Sequence, residues 1–154
     1  MKKVSLKQVY YEGMTIQIPE IWNVEKEEYD EADGTKSYSM SISASGRDVR
    51  GIDLSIGMIP EGSDAYIEAS RTFEEVMSEE DLQNNEEPIL CFQFQEYKAY
   101  GFNVWTDDGI PCFFFCIDVQ SKGEAKLLTA LVSAPDNDEL ENMMEFVEEY
   151  LKIE

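Results

Sequence analysis

Three thiols, Cys91, Cys112 and Cys116, and thirty-three carboxylates are the side chains here that could do covalent or acid–base chemistry. Histidine is absent from all 154 residues. Its absence removes the commonest general base, the usual nucleophile triads and most zinc and iron sites. A cysteine nucleophile would have to ionise without an imidazole. All three cysteines sit in strongly apolar runs, where the neutral thiol is favoured, so packing is their expected role. Cys112 and Cys116 lie four apart in a run of strand character, on one face and roughly 13 Å apart, too far for a disulfide. Either could reach Cys91 on a neighbouring strand, although buried free thiols in a reducing compartment are the expected state. A serine nucleophile lacks both the G-x-S-x-G elbow and a base, and no G-x-x-x-x-G-K-[ST] or G-x-G-x-x-G phosphate cradle occurs.

The carboxylates offer three clusters. Asp107 and Asp108 form the nearest pair, but they precede Gly109 in what reads as a hairpin turn. Asp136, Asn137, Asp138 and Glu139 could hold calcium weakly, yet they lack the twelve-residue loop with its glycine and terminal glutamate. Helix capping explains them better. Asp30, Glu31, Asp33 and Gly34 echo a calcium loop faintly, and a hairpin turn accounts for them too. No residue is therefore assigned to catalysis, to a cofactor or to a metal. A hydrolase or lyase using two carboxylates is the minor alternative; it needs two acids converging in a pocket with a raised pKa.

Thirty-three acids against twelve bases leave a formal charge of −21. That argues against nucleic acid and anionic membrane surfaces as partners, and it would steer a basic partner. The length fits one domain spanning residues 1–154, and an apolar content of 43% is that of a globular chain. The N-terminus carries lysines but no apolar run of signal-peptide length. No stretch reaches the eighteen or so apolar residues of a membrane span, so the sequence reads as cytoplasmic.

The elements that must position these groups are organised around Tyr97 to Val119. Two β-prone runs flank Asp107-Asp108-Gly109, a strong hairpin signal. The second arm, Cys112 to Ile117, is apolar on both faces and reads as the centre of a sheet. Before it, residues 1 to 13 suggest a weak strand or docked tail. Met14 to Pro19 is a half-buried strand, and Val24 to Tyr29 and Ser37 to Ser43 are arms around Asp33-Gly34, the second of them edge-lying. Ile52 to Ile59 is a further strand. Tyr66, Ala69, Phe73, Val76 and Met77 have the spacing of one helix face, with Ser63 or Asp64 as N-cap. Residues 78 to 88 read as an acidic exposed loop. Ile89 to Phe94 and Ala125 to Ala134 are strands. A last helix with Asp136 as cap, Glu139 at the capping-box position and a stripe from Leu140 to Leu151 runs to the C-terminus. The sum is an α+β fold, an antiparallel sheet of roughly six to eight strands flanked by two main helices. Three consecutive phenylalanines, Phe113 to Phe115, require cover on both sheet faces. If both helices covered one face, the other would offer a partner an apolar groove, and the seven methionines, Met143 and Met144 among them, would suit one.

At Ile16-Gln17-Ile18-Pro19-Glu20-Ile21-Trp22 the chain resembles the opening of PsbP/Mog-like proteins: a strand, a proline, two residues and a tryptophan. The later order resembles the same family over residues 10 to 152: a strand ending at Pro60, a helix from Ala65 to Met77, a hairpin over Gly101 to Val119, a Leu- and Ala-rich strand and a terminal helix. The resemblance implies an antiparallel sheet sandwiched by helices. The family includes a photosystem extrinsic subunit, an import factor that binds a small GTPase, and chaperones of type VI secretion effectors, mostly binding proteins. Ile18, Pro19 and Trp22 match its corner, which is read as structural, with Trp22 buried in the core.

The expectation is a non-catalytic acidic protein-binding module, an adaptor, chaperone or immunity-type inhibitor that meets a basic or apolar partner segment. The alternative is a self-associating structural domain that pairs an apolar sheet face with its own copy as a homodimer.

Overall fold

The computed structural model describes residues 5–76 and 89–154. Among them are ten strands and two helices. β1 (Leu6–Tyr11) and β2 (Met14–Pro19) form a hairpin, and the short β10 (Leu151–Ile153) pairs with the other side of β2 to complete a three-stranded sheet. β3 (Asn23–Asp30), β4 (Lys36–Ser43), β5 (Gly51–Met58), β6 (Leu90–Phe94), β7 (Tyr97–Trp105), β8 (Pro111–Ser121) and β9 (Glu124–Ser133) make a seven-stranded sheet in the order β3-β4-β5-β9-β8-β7-β6. Every pairing in it is antiparallel. The helices are α1 (Ala65–Val76) and α2 (Asn137–Tyr150).

The alternation along β8 divides the molecule into two cores. Phe113, Phe115, Ile117 and Val119 face the larger one, built with β2, α2 and the apolar faces of β4, β5 and β9. Cys116 and Phe114 point the opposite way, onto Ala65 and Ala69 of α1. Those two alanines let the helix approach the sheet closely, and Phe73 then meets Phe102 edge-on at 5.2 Å between ring centroids. The start of α1 is fixed twice. The Asp64 side chain accepts the Ile67 N–H at 2.8 Å, and the Asp118 carboxylate on β8 accepts the Ala65 N–H at 3.1 Å. Asp136 caps α2 by accepting the Glu139 N–H at 2.8 Å, and Leu140, Met143 and Val147 form its buried stripe.

The α+β class, the hairpin and both helices stand where the sequence puts them. Several details differ. The helices cover opposite faces of the sheet, α1 on one and α2 with the small sheet on the other, so neither face is left wholly bare. β8 is interior but one place off the middle, which β9 takes. β4, expected at the edge, is paired on both sides, and β3, the other arm around Asp33-Gly34, is the edge. The last helix stops at Tyr150, and Leu151 to Ile153 extend to pair with β2 instead of completing its stripe. In α1 the buried face is Ala65, Ala69 and Phe73; Tyr66 and Val76 are exposed. Trp22 is half-buried, resting on Phe146 at 6.4 Å between centroids, because the corner lies on the rim of α2 and not beneath it. Met77 and the acidic loop expected over residues 78 to 88 lie outside the described residues.

Candidate functional site

β6 and β7 extend the larger sheet past the N-terminal half of α2, and the gap between them is a groove of about 810 Å³. Its floor is sheet: Leu90 and Phe92 from β6, Asn103 and Trp105 from β7, and Phe113 from β8. Strand alternation puts these residues on one face, since Leu90 pairs with Gly101 and Gly101 with Phe115 in the same row. Leu140 and Met144 of α2 supply the opposite wall, and Asp138, Glu141 and Glu145 line it as acids. Among the described residues no lysine or arginine lines the groove. Two large apolar side chains stand unusually open there, Trp105 at 57% and Leu90 at 47% exposure. Below them Phe92 stacks edge-on with Phe113 and Phe115, at 5.5 and 5.7 Å between centroids, which holds the floor rigid.

The strand of this floor is unlike the other end of the sheet. β6 reads Leu-Cys-Phe-Gln-Phe without a charge, whereas β3 carries Glu25, Lys26, Glu27, Glu28 and Asp30. Charged side chains are the usual protection of a sheet edge against pairing with another chain. β3 has that protection and β6 does not.

Of the side chains singled out by chemistry, Cys91, Asn137 and Asp138 border the groove, and the others fall elsewhere. All three cysteines are free. Cys112 and Cys116 are buried, and desolvation pushes the Cys116 thiol up to about 12. Cys91 is exposed, contrary to the expectation from its apolar surroundings, because β6 is an edge strand and this side of it stands in solvent beside Tyr100. Cys91 and Cys116 oppose the same residue, Tyr100, from either side, so a whole strand separates them. Asp107 and Asp108 form the β7–β8 turn, closed by the Ile110 N–H donating to Thr106 Oγ1 at 3.1 Å. Asp33 accepts the Thr35 hydroxyl and N–H, which hold its carboxyl below the usual range. Glu31 accepts the Ser37 hydroxyl at 2.6 Å, and Asp30 lies 4.0 Å from Lys36. Glu139 sits at the capping-box position, but its carboxylate takes the Arg50 guanidinium at 2.7 Å. Of the acids that converge on the groove, Asp138 belongs to the capping cluster, while Glu141 and Glu145 stand in no cluster of the sequence. Their signal is helical spacing on the flank of α2's apolar stripe, opposite an uncharged edge strand.

A second hollow of about 400 Å³ lies at the other end of the sheet among Glu31, Asp33, Ser37, Ser55 and Thr129. Two of its carboxylates are already bonded, Asp33 to the Thr35 hydroxyl and Glu31 to the Ser37 hydroxyl, and Met58, Pro60 and Leu127 complete its lining. A third, about 220 Å³, is apolar and lies beside the last turn of α1, over Phe102, Val104 and Phe114.

No protein-family model and no curated protein sequence matches the chain. Among solved structures it is similar to the solution structure of cyanobacterial PsbP (CyanoP) from Synechocystis sp. PCC 6803, with a TM-score of 0.59 at 15% identity. The fold is PsbP-like. The superposition covers 99% of this chain and 95% of CyanoP, so the likeness runs through both sheets and both helices, not one motif. At that identity it shows the fold alone. The resemblance read from the Ile18-Pro19 to Trp22 corner and from the element order accordingly holds at the level of architecture.

Proposed function

We propose that this PsbP-like chain is a non-catalytic protein-binding module that seats a cationic, partly apolar segment of a partner protein in the groove between β6–β7 and α2. One observation carries the reading. The groove combines an open apolar floor, Leu90, Phe92 and Trp105, with an acidic wall, Asp138, Glu141 and Glu145, and among the described residues no basic side chain lines it. Exposed apolar surface of this kind is ordinarily covered by a partner, and the wall selects the partner's sign. The chain's −21 charge acts in the same sense at long range, drawing basic segments and opposing nucleic acid and anionic membranes. A catalytic role finds little support, since the buried thiols are held protonated and the sequence has no imidazole to activate Cys91. Three free thiols suit a reducing compartment such as the cytoplasm. Self-association through the same groove would bring two acidic walls together, so a foreign partner is the better occupant.

The test uses Trp105 as its reporter. In a Trp22→Phe protein, Trp105 is the remaining indole. Short synthetic peptides alternating Lys with Leu are titrated in, against counterparts with Glu in place of Lys. The expected result is a Trp105 emission shift with the Lys peptides alone, and binding weakened at least about tenfold between ~0.05 and ~0.5 M salt. An unchanged Trp105 emission, or equal binding of the Glu peptides, overturns the reading.

A further inference from the structure

We infer that the partner segment binds as an added β-strand on the outer edge of β6, extending the seven-stranded sheet and laying alternate side chains into the groove. The inference rests on the groove reading above and specifies the form of its occupant.

The two edges of the sheet carry the argument. An edge strand presents a row of backbone N–H and C=O groups, a template for another chain unless charge or cover blunts it. β3 is blunted by five charged side chains in eight residues. β6 has no charge in its five residues, and among the described residues no strand lies beyond it. Its register fixes which groups are available. The β6–β7 hairpin closes with Phe94 opposite Tyr97 across the two-residue turn Gln95-Glu96. In an antiparallel pair closed in this way, Phe94, Phe92 and Leu90 exchange bonds with β7, while Cys91 and Gln93 direct their N–H and C=O outward. A docking strand therefore finds two residues' worth of outward donors and acceptors, a short but sufficient register.

The pleat then sets the partner's composition. By strand alternation the side chains of Leu90 and Phe92 stand on the groove side of β6 and those of Cys91 and Gln93 on the other. An added strand follows the same alternation, so every second residue of the partner stands beside Leu90 and Phe92, on the side lined by Asp138, Glu141 and Glu145. Apolar and long basic side chains at those positions fit that surface. A second copy of this chain would bring its own acids to the same place.

The decisive comparison is of two Lys/Leu peptides of equal composition, one with the alternating period of a strand and one with helical period. Versions of the strand peptide N-methylated on either set of alternate residues complete the series. The strand peptide is expected to bind at least about tenfold more tightly than the helical one, and one N-methylated version to lose that advantage while the other keeps it. Amide exchange at Cys91 and Gln93 should slow on binding. Gln93→Pro removes one outward N–H at an edge, where proline is tolerated, and should abolish strand binding while leaving the melt and Trp105 in place. If that variant does not fold, the methylated peptides on the unaltered protein decide the matter. Equal binding of the helical peptide, indifference to N-methylation, or unchanged exchange at Cys91 and Gln93 would overturn the added strand and leave the groove reading standing. Failure of every Lys peptide to bind would overturn both. Protection of Cys91 and Gln93 without peptide, rising with protein concentration, would assign the edge to a second copy and overturn the inference.

Discussion

Gly101 shows how narrowly single residues are fixed in this core. It sits on β7 opposite Phe115, and a Cβ there would strike the Phe114 carbonyl oxygen and stand 2.7 Å from the Phe115 Cβ and 2.9 Å from the Phe113 ring. The glycine is what lets Phe113 and Phe115 tilt across the sheet at 6.1 Å between centroids. Gly101→Ala should therefore cost about 3 kcal/mol, at the upper end for overpacking because backbone must move; a denaturant melt measures it. Cys116 gives a pH signature of its own. Its thiol is neutral in the folded state up to about 12, whereas the unfolded thiol ionises near its ordinary value of 9.0. Above that value the folded state binds the extra proton, so this contribution is complete below pH 9, falls as pH rises and is lost by about pH 12. Comparing melts of Cys116→Ala and the parent across that window should show a shallower alkaline decline in the variant. Buried thiols were legible in the sequence for Cys112 and Cys116, because β8 is apolar on both faces. Cys91 was not, because exposure at an edge is decided by strand order, which periodicity does not encode.

At the scale of elements, the helices and the hairpin were legible because their signals are local: Asp136 as cap, the Leu140-Met143-Val147 stripe, the Asp108-Gly109 turn. What escaped was tertiary. β10 takes Leu151, the last residue of the apolar stripe, from α2, since Leu151 reaches the core as well from a strand on β2 as from a fifth helical turn. The C-terminus is then held by the Ser121 hydroxyl and the Lys122 N–H, both donating to the Glu154 carbonyl. The Pro19 to Trp22 corner follows the same lesson. A tryptophan after Ile-Pro reads as a core anchor, but it lies half-open on Phe146. Trp22→Ala should accordingly cost about 2 kcal/mol, below the 3–5 kcal/mol or so of a fully buried tryptophan, as read from the shift of a urea midpoint. A loss above about 4 kcal/mol would show that the corner anchors the core after all.

For the whole molecule the governing quantity is charge. Thirty-three acids spread over a surface with twelve bases repel one another, and the ion pairs are mostly exposed, such as Lys36 with Glu28 and Lys122 with Glu12. Screening should raise stability, so the melting temperature should climb by several degrees between ~0.02 and ~0.5 M sodium chloride, and a flat response would contradict it. The groove was hidden from the sequence for a related reason. In a chain this acidic, Asp138, Glu141 and Glu145 look like an ordinary solvated helix flank. Only the approach of β6, brought there by the turn at Gln95-Glu96, sets them across from Leu90, Phe92 and Trp105.

Charge reversal on that wall tests the central claim most directly. The Glu141→Lys, Glu145→Lys double variant changes two exposed residues of α2 and leaves its buried stripe intact. Binding of a Lys/Leu strand peptide, followed by Trp105 emission, should weaken by about a factor of ten or more, and the matching Glu/Leu peptide should now bind. Retention of the Lys peptide at its original affinity by a variant that melts like the parent would contradict the account.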